Sequence, residues 1–130
     1  MPRDYQPHKN NPYHLPWTLY RYVLMMVRDY DRLTESVDDL ILSSPDPESP
    51  RRGGGYGDPT ARTAMRIERM QDQIRAIDNA LKRIPEEYRK GVFDWTRYRT
   101  PYPPDAGEAT YRRHKQRFLY FVAQNLFLVE

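Results

Sequence analysis

"DPTARTAMRIERMQDQIRAIDNALKRIP", Asp58 to Pro85, decides the fold. Its apolar residues Ile67, Met70, Ile74, Ile77, Leu81 and Ile84 alternate steps of three and four, which puts them on one face of a helix. Asp58 can accept backbone N–H bonds as N-cap, and Pro59 suits a first helical position, where a missing donor costs nothing. At the far end Pro85 disfavours helical geometry at Ile84 and can open a new helix. Neighbours such as Arg62 and Arg66, or Glu68 and Asp72, are like-charged at i,i+4, so burial of the seam must hold this helix rather than surface pairing.

Upstream, Leu19, Val23, Met26, Tyr30, Leu33, Val37 and Leu40 repeat the same alternation from Trp17 onward. Between the two seams "SSPDPESPRRGGGYGDP", Ser43 to Pro59, breaks every period with proline and glycine. Two helices with matching heptads joined by such a loop predict an antiparallel coiled-coil hairpin over 17–84, with its loop at 43–58. Residues 1–16 hold four prolines among polar residues and read as a flexible arm.

Beyond Pro85, "PEEYRKGVFDWTRY" predicts a third helix to about Tyr98, with Glu86 and Glu87 at its positive dipole end and Tyr88, Val92 and Trp95 as its apolar stripe. A proline-rich turn, "RTPYPPDAGE", follows, and Asp105 is the expected N-cap of a last helix. The expected class is therefore all-α: a long helical hairpin, then two shorter helices over 85–130.

Composition narrows the function. Twenty-one Lys+Arg against eighteen Asp+Glu leave a formal charge of +3, so the distribution of charge matters more than its sum. There is no cysteine, which removes disulfides and thiolate metal sites. No apolar run approaches the ~20 residues of a membrane span, and no signal-peptide core is visible, so the expected setting is cytoplasmic. His8, His14 and His114 are scattered, "RRGGGYG" lacks the context of a phosphate loop, and Asp38/Asp39 and Glu86/Glu87 diverge on their helices. No enzyme, metal or cofactor is expected. Trp17 and Trp95 read as core.

The last helix carries the functional signal. In projection Tyr111, Phe118, Leu119, Val122 and Leu126 share one face, while Ala109, Arg112, Arg113, Gln116 and Arg117 gather on the other. A buried stripe with an exposed basic start is the layout of a DNA recognition helix, arginine suiting guanine edges and phosphates, glutamine suiting adenine. Thr110, Arg112, Arg113, Lys115, Gln116 and Arg117 are the candidate DNA contacts, with Lys115 snorkelling from the apolar side. A merely solvated basic face is the alternative. Tyr120 and Phe127 line up with Gln116 and need cover from another element or a second chain.

"GDPTARTAMRIERM", "IDNALKRIPEEYRKGVFDW" and "PYPPDAGEATYRRHKQRFLYFVAQNL" together resemble the RinA-like family of bacteriophage transcriptional regulators, related to the ArpU-type late regulators. The likeness spans about residues 17–130. It implies an activator of phage late or packaging genes in a bacterial cytoplasm, with double-stranded DNA and host RNA polymerase as partners. It also implies a C-terminal helix-turn-helix similar to sigma-factor region 4. The chain departs from that pattern where a scaffold helix would sit, since "RTPYPPDAGE" cannot be helical, so the motif is expected in abbreviated form. The competing class is a coiled-coil interaction or assembly adaptor of a phage. Seams this regular also permit a homodimer.

Overall fold

Five helices and no strand make up the described residues of the computed structural model, which are 6, 9–43 and 59–130. They are α1 (Trp17–Arg28), α2 (Tyr30–Ser43), α3 (Pro59–Lys82), α4 (Glu86–Tyr98) and α5 (Glu108–Asn125). The all-α expectation holds. Asp58 and most of the expected loop lie outside the described residues. None of the five helices is long and apolar enough to cross a membrane.

The first predicted helix is two. The turn falls at Asp29, whose backbone N–H is shared between Met25 and Met26 carbonyls, and whose carboxylate holds Arg32. The reason is packing: α1 lies against α4 and α5, whereas α2 runs along α3. Accordingly α1 buries Tyr20, Val23, Leu24 and Val27, an i, i+3, i+4, i+7 stripe, instead of the a/d seam alone, and Leu19 is only half-buried. The hairpin is confined to α2 and α3. Tyr30 at the start of α2 donates to Asp78 near the end of α3 at 2.8 Å, as antiparallel neighbours do. Burial and that bond push the Tyr30 phenol up to about 12, so it remains a donor at neutral pH.

The end of α3 is capped from α4. Arg89 donates to the carbonyls of Ile84 and Lys82, at 2.7 and 2.8 Å, satisfying groups a helix C-terminus otherwise leaves open. Pro85 then caps α4, as its sequence position suggested within one residue.

One core joins all of this. Tyr111, Phe118, Leu119 and Val122 of α5 are fully buried beside Val92, Ile77, Ile84 and the α1 stripe. Each such side chain contributes roughly 1.5–3 kcal/mol by leaving water. α5 touches α1, α3 and α4, and eight of its residues are buried.

Two further expectations need correction. Trp17 is not core: it is exposed, stacked on Tyr20 at 5.8 Å, because it occupies the first turn of α1 ahead of the buried stripe. Nor is the arm flexible throughout. Leu15 is fully buried, and its backbone exchanges two hydrogen bonds with the Gln6 amide, at 2.8 and 3.0 Å. Asn11 supplies the turn before it, accepting from the Tyr13 N–H at 2.8 Å.

Candidate nucleic-acid interface

Gly107, not Asp105, caps α5: its carbonyl accepts the Thr110 and Tyr111 amides. Asp105 has another task, taking the Tyr111 hydroxyl at 2.6 Å, which fixes the ring that begins the buried stripe. Between α4 and α5, residues 99–107 contain no helix, and Tyr102 fills the gap by stacking on Tyr111 at 4.8 Å and leaning on Trp95 at 5.2 Å. The proline-rich turn is thus an aromatic wedge that sets the start of α5. Gly91 of α4 permits the close approach, since a Cβ there would stand 2.7 Å from the Tyr111 ring and 2.9 Å from Pro103.

The candidate contacts on α5 divide sharply. Arg112, Arg113 and Arg117 are exposed. Arg112 reaches back to Glu108 at 2.8 Å, a solvent-exposed pair of small energetic weight, and Arg113 lies 3.4 Å from the Thr110 hydroxyl. Arg117 lies over the Tyr13 ring, 5.2 Å from its centre. Thr110 itself is half-buried.

Lys115 and Gln116 do not face solvent; each retains only 4% of its exposure. For Lys115 the projection already placed it on the apolar side, and its ammonium lies 5.7 Å from the Tyr20 ring centre. Gln116 corrects the projection. Its amide donates to the Tyr13 carbonyl at 2.8 Å, because residues 11–16 lie across the face that α5 alone would leave open. Tyr13 also meets Tyr120 and Phe121 edge-on, at 5.6 and 6.0 Å, so the cover that Tyr120 required comes from the chain's own arm. Phe127 stays exposed, just past the helix end.

Compared with protein-family models, curated proteins and solved structures, the chain matches none. The site must therefore be read from its own geometry.

Arm and helix together enclose an open cleft of about 440 Å³, lined by Gln6, Asn11, Pro12 and Tyr13 on one side and Arg112, Arg113 and Arg117 on the other. Among the described residues no carboxylate lines it. Arginine forks beside amide side chains form a donor-rich pocket suited to phosphate oxygens. His114, behind the arginines, reports the local field. Burial first, then Arg117 and Arg113, hold its pKa below the usual histidine value, while Glu87 opposes them. Its ring stacks on Tyr88 at 4.6 Å.

Sequence reasoning missed the arm's half of the cleft. The signal was there in "NNPYHLP": an Asn-Pro turn followed by two apolar side chains, too short to show a period.

Proposed function

We propose that the chain binds double-stranded DNA through the phosphate backbone along the α5 cleft, as a transcription regulator of the phage late or packaging type. The observation that carries the reading is the convergence of Arg112, Arg113 and Arg117 with the arm on a cleft that no carboxylate lines among the described residues. The resemblance to RinA-like regulators supplies the biological setting: a bacterial cytoplasm with host RNA polymerase as the partner that activation requires. Because Gln116 is engaged by Tyr13, phosphate contacts dominate, and Arg113 is left as the candidate for a base edge.

The test is duplex binding by fluorescence anisotropy across a salt series, for the wild type and for Arg112→Ala, Arg113→Ala and Arg117→Ala combined. Each lost phosphate contact should flatten the log K against log salt slope by about 0.9, so the triple variant should lose up to about three such steps. Unchanged affinity and slope in a folded triple variant would remove DNA from the reading. Exposed Ile41, Leu42 and Met65 at the far end of the hairpin would then favour the assembly-adaptor reading.

A further inference from the structure

The cleft beside α5 has a helix for one wall and a turn for the other. Arg112, Arg113 and Arg117 stand on the helix wall, Asn11, Pro12 and Tyr13 on the turn wall. In a duplex, a phosphate strand is the ridge between the major and minor grooves. A strand lying in this cleft therefore puts one wall over each groove. Only the major groove, about 12 Å wide, admits a helix, so α5 takes that side and the arm faces the minor groove. At about 6 Å that groove excludes a helix but takes single side chains from a turn.

What the turn offers there is a set of donors. Asn11 accepts the Tyr13 N–H on its Oδ1 at 2.8 Å, and its backbone carbonyl accepts the His14 N–H at 3.0 Å. With that oxygen committed to the turn, the group Asn11 presents outward is its NH2. Lys9 and Asn10, both exposed, precede it on the same turn. The arm has no carboxylate among its described residues, 6 and 9–16. Gln6 clasps both backbone groups of Leu15, itself fully buried, so the donors are held in place before any ligand arrives.

Donors discriminate between base pairs in the minor groove. The floor at A·T shows only acceptors, adenine N3 and thymine O2, whereas G·C adds the guanine N2 amino group, a donor that meets the donors of the arm. A·T runs also narrow the groove and deepen its negative potential, which draws the Lys9 ammonium.

We infer that residues 9–11 enter the minor groove beside the strand held by α5 and select A·T over G·C, with Asn11 as the specificity-determining residue. This role rests on the DNA reading above and deepens it: the arginines of α5 supply affinity through phosphates, and the arm supplies a sequence preference.

Inosine separates the two grooves, because an I·C pair lacks the N2 amino group and so looks like A·T in the minor groove but like G·C in the major groove. Fluorescence anisotropy of the full chain on duplexes built entirely of A·T, of G·C or of I·C pairs tests the role. Affinity for A·T and I·C should exceed that for G·C by about tenfold, the equivalent of one lost base contact. Asn11→Asp keeps the oxygen that holds the turn, removes the NH2, and should bring this ratio close to unity. Lys9→Ala should lower it part of the way. Reading the ratio cancels the phosphate contacts, which the duplexes share. I·C bound like G·C would assign the preference to α5 in the major groove, and equal binding of all duplexes would reduce the arm to a phosphate contact. Either result overturns the inference and leaves DNA binding standing. No binding to any duplex removes the DNA reading itself, and the role of the arm with it.

Discussion

Arg97 on α4 and Arg113 on α5 carry the same guanidinium, yet one is part of the fold and the other is available to a ligand. Arg97 keeps 15% of its side-chain exposure, lies 3.7 Å over the Phe93 ring centre and 4.5 Å from that of Tyr98, and pairs with Asp31 at 2.9 Å and Asp94 at 3.3 Å. Tyr98 also donates to Asp31, so α2 and α4 are tied at one point. Arg113 has a single long contact to Thr110 within its own helix. What separates a structural arginine from a binding one here is the number of carboxylates and rings that already hold it. A helical projection sees charge but not those partners.

The strongest way to break this comparison is Arg97→Ala. It removes the arginine that Asp31 and Asp94 share, leaving them only Tyr98 and Lys90, and uncovers Phe93, and should cost about 3 kcal/mol of folding stability, near the lower end for a broken buried pair because Asp31 is partly exposed. Arg113→Ala should stay within about 0.5 kcal/mol of the wild type, as surface changes do. Urea denaturation of both variants decides the matter. Equal losses would mean that Arg113 is also structural, and the cleft would lose its claim to a ligand.

Gly91→Ala comes next, and it sharpens the comparison by moving the platform under the α5 arginines. The added methyl has nowhere to go between the Tyr111 ring and Pro103, so the wedge at Tyr102 must shift. Overpacking of this kind should cost about 1–3 kcal/mol. Thermal unfolding measures the cost; an Ala variant as stable as the wild type would show that the turn is free to give way.

The same contrast explains what could be read in advance. The start of α3 at Pro59 and the buried stripe Tyr111, Phe118, Leu119, Val122 were legible because proline chemistry and a 3.6-residue period are local properties. The break at Asp29 was not, since the apolar period continues through it; only the partners of α1 and α2 differ. Gln116 failed for a related reason. Its cover comes from Tyr13, more than a hundred residues away in sequence, on a segment whose two apolar side chains form no pattern. Arg112, Arg113 and Arg117 were correctly placed outward, since the arm that buries Gln116 leaves all three exposed and only rests its Tyr13 ring against Arg117.

The smallest effect, and the finest probe of the α5 field, is the titration of His114. Its pKa is lowered in the folded chain from the ordinary 6.5, by burial first and by Arg117 and Arg113 after that. The unfolded chain therefore takes up the proton at higher pH than the folded one. Stability from this group is complete above about 6.5, declines as pH falls below that value, and levels off below the depressed folded value. Replacing Arg113 with Gln removes one of the lowering charges, so the His114 ring resonance in a proton NMR titration should move toward the ordinary value. Bound phosphate should act in the same direction by neutralising the arginines, so that DNA binding takes up a fraction of a proton near neutral pH. A His114 titration indifferent both to Arg113→Gln and to DNA would mean that burial alone sets it, and that the arginine field does not reach behind the cleft.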